Sequence, residues 1–303
     1  MAETKNALLI GLSYDNASDE EDKLNGHLDA LNMAILLYCK EDWEITLLTE
    51  KENSEMETEF KKIMNMDEDD EIEERLTICS IDGKADTIKD CIIEFGWLGE
   101  DLEEDEHLEL FFFFAGHGNQ QNDNFLYQEE HADDEADGKD EYIVTTDDSE
   151  LRFSDLVTDD VMFNLMVKPL HENVTLTAVF DCCSSGSILD LEYCEQNGQI
   201  VPTEDLLFRQ KMKRKGRKVG NRKAKANVVC LSACLDNQEA MEGESYGGDL
   251  SLVFQAFLRE FPESTYQDLL KRIRKNMEEE GLKQKTMLSV SKKNFRLSKK
   301  FLL

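Results

Sequence analysis

The hydrophobic positions of this chain form short continuous runs, and these runs alternate with longer stretches in which apolar residues recur at helical spacing. The continuous runs are typical of strands buried on both faces, and they lie at residues 7–14, 108–114, 175–180 and 227–234. The helical spacing predicts amphipathic helices at about 27–39, 84–97, 159–167, 250–261 and 265–280. Strands that alternate with helices predict an α/β/α sandwich with a mainly parallel central sheet.

The domain organisation predicted from these elements is a single domain built from two segments. A large segment covers residues 1–195 and a small segment covers 227–303, and residues 196–226 between them show no apolar periodicity. We therefore interpret 196–226 as a linker. The acidic stretch 50–75 is interpreted as an insertion with a mobile helix.

Composition excludes several classes of protein. The net charge of −32 argues against general nucleic-acid binding. The chain contains no apolar run of 18 residues and no apolar stretch typical of a signal peptide, so neither a membrane span nor secretion is expected. The eight cysteines include no Cys-x-x-Cys pair, which favours free thiols in a reducing, cytoplasmic compartment.

Two of the predicted strands end in residues that could perform nucleophilic catalysis. The run 108–114 leads into Ala-Gly-His117-Gly, and the run 175–180 leads into Asp-Cys-Cys183-Ser-Ser-Gly. In a parallel sheet the carboxyl ends of strands meet at one edge, where a histidine can activate a cysteine thiol. Each residue alone is more often structural, since a cysteine is commonly a small buried hydrophobic residue and a lone histidine a packed one.

These two motifs resemble those of the metacaspases, which are caspase-like cysteine peptidases. The resemblance implies that His117 is the base, that Cys183 is the nucleophile, and that the N–H groups of Gly118 and Cys183 form the oxyanion hole. The family usually has a serine at the position of Ala115 and a histidine directly after the nucleophile, where this chain has a serine. The register leaves Cys182 as an adjacent structural thiol.

The resemblance extends from about residue 7 to the end of the chain. Residues 229–238 and 288–291 match later family segments, and the Pro-rich or zinc-finger prodomain of the family is not expected here. In the family the acid before the nucleophile lines a pocket for substrate Lys or Arg, which implies substrate binding by Asp181, Asp29 and Ala115. The second pocket acid would fall on Ala30 in strict register, with Asp29 one residue away.

A calcium site is also implied by the resemblance. Calcium-dependent metacaspases have an Asp-Asp pair before the nucleophile and an Asp seven residues after it, which correspond to Asp159, Asp160 and Asp190. A further ligand is Asp140, and several carboxylates suit a hard cation such as Ca²⁺. From the residues alone, acids at 159–160 are more often the negatively charged start of a helix than a metal site.

The predicted linker contains ten basic and no acidic residues between positions 209 and 225. Such a run is often a nuclear-localisation or polyanion-binding patch, and it could also dock on the acidic loops of the same chain. Because it lies in an exposed linker, we interpret it as a site of self-cleavage. The candidate cleavage residues are Lys211, Lys213, Arg214, Lys215, Arg217 and Lys218.

The sequence therefore predicts a calcium-promoted cysteine endopeptidase that cleaves protein or peptide substrates after Lys or Arg. We expect a monomer without a membrane or nucleic-acid partner, located in the cytoplasm, although the basic run also permits a nuclear location. Two alternatives come from other classes: a catalytically inactive caspase-like scaffold, and a polyanionic calcium-binding protein. The intact His117 and Cys183 argue against both alternatives.

Overall fold

The helices and strands follow the predicted alternation. The structure is a computed structural model that describes residues 4–17, 19, 22–100, 102, 106–122, 139–147, 156–203, 223–234, 242–243, 247–281 and 285–301. The strands are β1 Thr4–Gly11, β2 Glu44–Thr49, β3 Leu76–Ser80, β4 Leu108–Ala115, β5 Gly118–Asn122, β6 Lys139–Ile143, β7 Val157–Thr158, β8 Val174–Asp181, β9 Tyr193–Gln196, β10 Gln199–Pro202, β11 Asn227–Ser232, β12 Glu242–Gly243, β13 Gly247–Gly248 and β14 Met287–Val290. The helices are α1 Gly26–Tyr38, α2 Asn53–Met64, α3 Ala85–Trp97, α4 Asp159–Met162 with a π-helical continuation Phe163–Val167, α5 Asp249–Glu260 and α6 Tyr266–Glu279.

A nine-stranded sheet organises the fold, in the order β10-β9-β14-β11-β8-β4-β1-β2-β3. The six strands from β11 to β3 run parallel to one another, whereas β14, β9 and β10 pair antiparallel at the other side. Smaller antiparallel sheets are formed by β5-β6-β7 and by β12-β13. The mainly parallel sheet confirms the predicted α/β fold class.

The central strands are buried on both faces because helices cover each side of the sheet. Phe111 and Phe113 pack in one hydrophobic core with α1, α2, α5 and α6, while Phe112 and Phe114 pack in a second core with α3 and α4. All four rings are fully buried. Burying one such side chain contributes about 1.5–3 kcal/mol, so this run alone anchors β4 at the centre of the sheet.

Three local predictions are corrected by the structure. The first strand ends at Gly11, so Tyr14 lies in the following loop rather than in the strand. The helix at 53–64 is a packed element, since Met56 and Phe60 are buried and the Phe60 ring lies 5.1 Å from that of Tyr38. The two buried residues are four positions apart on one face, so the acidic side chains lie on the outer face of a docked helix.

The third correction concerns the start of the predicted linker. Residues 193–202 form the hairpin β9–β10, and β9 pairs with β14 at the antiparallel side of the main sheet. Asn197 and Gly198 both have positive φ, which gives the tight turn between two short strands. Residues 196–202 therefore belong to the sheet.

Among the described residues, no helix is long and apolar enough to cross a membrane.

Candidate active site

The predicted base and the predicted nucleophile follow the carboxyl ends of two adjacent strands. β4 and β8 pair in parallel, and Ala115 lies opposite Asp181 at the end of their ladder. The backbone N–H of Gly116 donates to the carbonyl of Asp181 at 3.3 Å, so the two chains remain aligned beyond the sheet. His117 and Cys183 each come two residues after the last aligned pair. The fold therefore brings them to equivalent positions at the same edge.

Gly118 allows the two segments to approach in backbone contact. A Cβ atom at this position would lie 2.1 Å from the carbonyl oxygen of Cys183 and 3.0 Å from the Sγ atom of Cys182. These separations are too short for any side chain, so the close approach requires glycine. The two residues predicted to form the oxyanion hole, Gly118 and Cys183, are thus direct neighbours.

The orientation of the His117 ring is set by a backbone carbonyl. The Nε2 atom lies 2.8 Å from the carbonyl oxygen of Asp22, in the polar loop before α1. Because a carbonyl can only accept a hydrogen bond, this contact assigns the proton of the neutral ring to Nε2. The Nδ1 atom then carries the lone pair that can take a proton from a thiol. The sequence could not reveal this contact, since a main-chain carbonyl has no residue-type signal.

The two adjacent cysteines have different environments. Cys182 is buried, and its burial raises the pKa of the thiol well above the ordinary value. Its carbonyl accepts hydrogen bonds from the Ser185 hydroxyl at 3.0 Å and from the Cys234 thiol at 3.5 Å. Cys183 is partly exposed at the edge of the sheet. Since a reactive thiol needs access and an accessible thiolate, the environment of Cys182 is that of a structural residue.

The turn after the predicted nucleophile is sharp. Ser184 has a φ of +48°, in the left-handed region. Its hydroxyl lies 3.4 Å from the side-chain nitrogen of Gln120 on β5. The serine that replaces the usual family histidine therefore faces the strand that follows His117.

The two acids of the predicted specificity pocket lie together at the amino-terminal end of α5. The Asp181 Oδ2 atom accepts a hydrogen bond from the Ser251 backbone N–H at 2.7 Å, and the Asp29 Oδ2 atom accepts one from the Gly248 N–H at 3.0 Å. Both carboxylates are buried, and the positive end of the helix dipole favours their negative charge. We refer to Asp29 and Asp181 as the α5 pair.

Ala30 and Ala115 have core positions instead. Ala30 is part of α1 and Ala115 ends β4. Each is at most 2% exposed, and both belong to the same hydrophobic core. The acid that accompanies Asp181 is therefore Asp29, one residue from the strict family register. The methyl side chain of Ala115 has no group that could take part in the hydrogen bonds of the α5 pair.

Three aspartates predicted as calcium ligands lie together, and we refer to Asp159, Asp160 and Asp190 as the aspartate triad. One carboxylate oxygen from each lies within 4.8 Å of the others. Asp159 begins α4 and is fully buried, where its Oδ1 atom accepts the Asp160 N–H at 2.6 Å. Three carboxylates at such separations repel one another unless a cation is present, and an all-oxygen set suits Ca²⁺. The donor set therefore fits the implied ion.

Asp140 lies on β6 and is buried, but it is not one of the three residues whose carboxylate oxygens lie within 4.8 Å of one another. Its neighbour Glu141 connects the region to the nucleophile loop. The Glu141 N–H donates to Asp159 Oδ2 at 3.2 Å, while its own Oε2 atom accepts the Ser187 hydroxyl at 2.8 Å. Ser187 lies four residues after Cys183. Glu141 was not predicted as a site residue, because in the sequence only its position beside Asp140 indicates a role.

The candidate self-cleavage residues, Lys211, Lys213, Arg214, Lys215, Arg217 and Lys218, lie outside the described part of the chain. Self-cleavage in the basic run therefore stays a prediction from the sequence.

Comparison with known proteins identifies the family. The profile of the metacaspase, peptidase C14 domain matches residues 5–192. Metacaspase-1A of Aspergillus niger is 28% identical over 89% of this chain and 66% of its own length. Metacaspase-1 of Cryptococcus neoformans is 31% identical over 60% of this chain and 45% of its own. The chain thus aligns with less than two thirds of the length of these relatives.

A solved structure supports the fold independently. The protein GSU0716 from Geobacter sulfurreducens superposes with a TM-score of 0.55 over 98% of this chain and all of that chain, at 18% identity. This likeness concerns the fold alone. The family match covers both strand ends that carry His117 and Cys183, together with the aspartate triad. This chain belongs to the metacaspase family.

Proposed function

We propose that this protein is a cysteine endopeptidase in which His117 and Cys183 act as a catalytic dyad. The observation that carries the proposal is the register of β4 and β8, which aligns the two residues at one edge of the sheet. The Nε2 contact with the Asp22 carbonyl leaves Nδ1 available as the base. The partial exposure of Cys183, beside Cys182 whose burial raises the pKa of its thiol, supports Cys183 as the nucleophile.

The reaction proceeds in two stages. The Cys183 thiol proton passes to His117 Nδ1, and the sulfur forms a bond to the carbonyl carbon of the substrate. The N–H groups of Gly118 and Cys183 stabilise the resulting oxyanion. The C–N bond then breaks as the imidazolium protonates the leaving amine. A water molecule, deprotonated by His117, attacks the thioester and releases the acid product together with the thiol.

The substrate side chain that best suits the site is Lys or Arg. The carboxylate of Asp181 lies two residues before Cys183, and Asp29 is held beside the same helix end. A carboxylate forms strong charge-assisted hydrogen bonds with a guanidinium or ammonium group. Backbone N–H groups at the start of α5 already donate to the Oδ2 atom of each carboxylate. A basic substrate side chain would therefore either displace these hydrogen bonds or bind the same carboxylates beside them.

Calcium is the proposed activator. The aspartate triad would hold it, and Asp190 lies on the same loop as Cys183. Bound Ca²⁺ would offset the repulsion among the three carboxylates and so stabilise the loop beside the nucleophile. Self-cleavage in the basic run 209–225 is proposed as a consequence of the preference for basic residues.

The decisive experiment measures hydrolysis of matched Arg and Asp peptide substrates, with Ca²⁺ and with a chelator, for the wild type, Cys183→Ala and Cys182→Ala. We expect rapid, calcium-promoted cleavage after Arg. Cys183→Ala should lower turnover by about 10³-fold or more, because no nucleophile remains. Cys182→Ala removes a thiol from the adjacent position and should retain most of the activity.

The reverse result for the two cysteines would show that the register is wrong, and preferential cleavage after Asp would contradict the proposed specificity. Full activity in chelator would show that the aspartate triad is structural. Self-cleavage is tested in the same samples by sequencing new N-termini with mass spectrometry. Identical cutting in Cys183→Ala, or an intact basic run in the active enzyme, would exclude self-processing.

A further inference from the structure

Tyr14 has an unusual backbone conformation for a bulky residue. Its φ is +55°, in the left-handed region that residues other than glycine and asparagine rarely adopt, and the residue is 6% exposed. The strained loop is held by the Glu50 carboxylate, whose Oε2 atom accepts the N–H groups of Ser13 and Tyr14 at 2.6 and 2.8 Å. Strain of this kind persists only where surrounding contacts enforce it, and it is frequent at functional sites.

The Tyr14 side chain contacts His117 in two ways. The phenol oxygen accepts the backbone N–H of His117 at 2.8 Å, and the phenol ring lies 4.7 Å from the imidazole at an interplanar angle of 38°. The same hydroxyl donates to the Val144 carbonyl at 2.9 Å. The Val144 N–H in turn donates to the His117 carbonyl at 2.9 Å. These three bonds close a cycle around the backbone of His117.

Gly116 makes room for this arrangement. A Cβ atom on Gly116 would lie 2.7 Å from the Tyr14 hydroxyl and 2.8 Å from the Phe114 ring. The glycine before His117 is therefore needed for the hydroxyl to reach the backbone. The motif residue and the loop tyrosine are parts of one contact, although they are about one hundred positions apart in the chain.

We propose that Tyr14 is a positioning residue that fixes the imidazole of His117 for proton transfer. The inference rests on the proposed role of His117 as the base. The Asp22 carbonyl restrains the ring through Nε2, the Tyr14 ring packs against the imidazole, and the Tyr14 hydroxyl holds the backbone from which the imidazole extends. Without the hydroxyl, the His117 N–H and the Val144 carbonyl lose their partner. A misplacement of about 1 Å can cost about 10²-fold in rate, so a modest displacement is measurable.

The test compares Tyr14→Phe with Tyr38→Phe in the full-length protein. Both changes remove one hydroxyl that accepts a backbone N–H, since the Tyr38 hydroxyl accepts the Glu73 N–H at 3.2 Å, away from the site. We expect Tyr14→Phe to lower kcat about 10-fold with KM within twofold, and Tyr38→Phe to leave both unchanged. Thermal unfolding of each variant measures the loss of stability separately.

A second readout does not depend on turnover. The rate at which iodoacetamide alkylates Cys183, resolved by mass spectrometry, is followed against pH. A well-placed imidazole sustains the thiolate below the ordinary thiol pKa of about 8.5, so the wild type should react at lower pH. In Tyr14→Phe the profile should move toward 8.5, whereas a merely structural loss of stability would leave the folded protein's profile in place.

Gly116→Ala provides an independent variant, because its methyl group would displace the Tyr14 hydroxyl while the tyrosine remains. It should reproduce the altered alkylation profile. If both variants keep the wild-type kcat and profile, the positioning role is wrong. If the wild type itself cleaves no peptide while its alkylation profile still depends on Tyr14, the proposed function fails and the positioning of His117 stands.

Discussion

Two groups of buried or half-buried aspartates lie beside the loop that carries Cys183, and they differ in what surrounds their carboxylates. The α5 pair accepts backbone N–H groups at the positive end of a helix. The aspartate triad gathers three carboxylates within 4.8 Å of one another. Asp159 also accepts backbone N–H groups, from Asp160 and Glu141, but only the aspartate triad brings three carboxylates together, which is the arrangement expected of a cation site.

The difference teaches that the role of an acidic residue near the sheet edge that carries Cys183 cannot be inferred from its residue type alone. Asp181 and Asp159 are both buried aspartates next to a strand end. The groups that surround each carboxylate determine whether its negative charge is stabilised by a helix N-terminus, by a basic substrate side chain or by a metal ion. Changing one member of each group tests this contrast.

The largest effect is expected for Asp181→Asn. Loss of the carboxylate removes a charge-assisted contact worth about 1.5–3 kcal/mol, so kcat/KM for Arg substrates should fall about 10–150-fold. The asparagine side-chain oxygen can still accept the Ser251 N–H, so the fold should remain. Steady-state kinetics with Arg peptides and with peptides bearing a neutral residue would check this. An equal loss for both peptides would contradict a role in specificity.

The next effect concerns the aspartate triad and is measured as stability. Ca²⁺ at about 100 times its Kd should stabilise the wild type by about 2.7 kcal/mol, and a chelator should reverse the shift in Tm. Asp160→Ala should lose most of this response, because one of three clustered carboxylates is removed. Asp29→Asn serves as the control from the α5 pair and should keep the response. A full calcium shift in Asp160→Ala would show that the ion binds elsewhere.

A third change tests how closely α5 packs on the α5 pair. In Gly248→Ala the new Cβ atom would lie 2.2 Å from Asp181 Oδ2, so either the carboxylate or the helix must move. We expect a loss of about 1–3 kcal/mol in the free energy of unfolding, measured by urea denaturation. Ser251→Ala keeps the backbone N–H that Asp181 accepts and is the matched control. Equal stability of Gly248→Ala and the wild type would contradict the described contact.

The smallest effect is expected for Asp29→Asn. The asparagine oxygen can still accept the Gly248 N–H, so the expected loss is that of the interaction between the charge and the helix dipole. This interaction is typically worth about 0.3–1 kcal/mol near the surface and up to about 2 when partly buried. The same denaturation experiment measures it, and a loss above this range would show that the charge of Asp29 has another partner.

Much of the fold could be predicted because its signals are local. The four adjacent phenylalanines of β4 and the apolar run of β8 indicate buried strands, and α5 and α6 follow from their periodicity. The β9–β10 hairpin was missed because its strands have four residues each and contain few apolar side chains. Its pairing with β14 depends on a segment almost one hundred residues further along the chain.

The sequence by itself determined the two strand-ending motifs, and hence the proposed pair His117 and Cys183, because the residue types and their order are those of a histidine base and a cysteine nucleophile. Only the tertiary structure decided which groups surround them. The Asp22 carbonyl, the Tyr14 hydroxyl and the amino-terminal end of α5 reach the site from loops and helices far away in the chain. Such contacts arise from packing and backbone direction, which no local pattern of residues encodes.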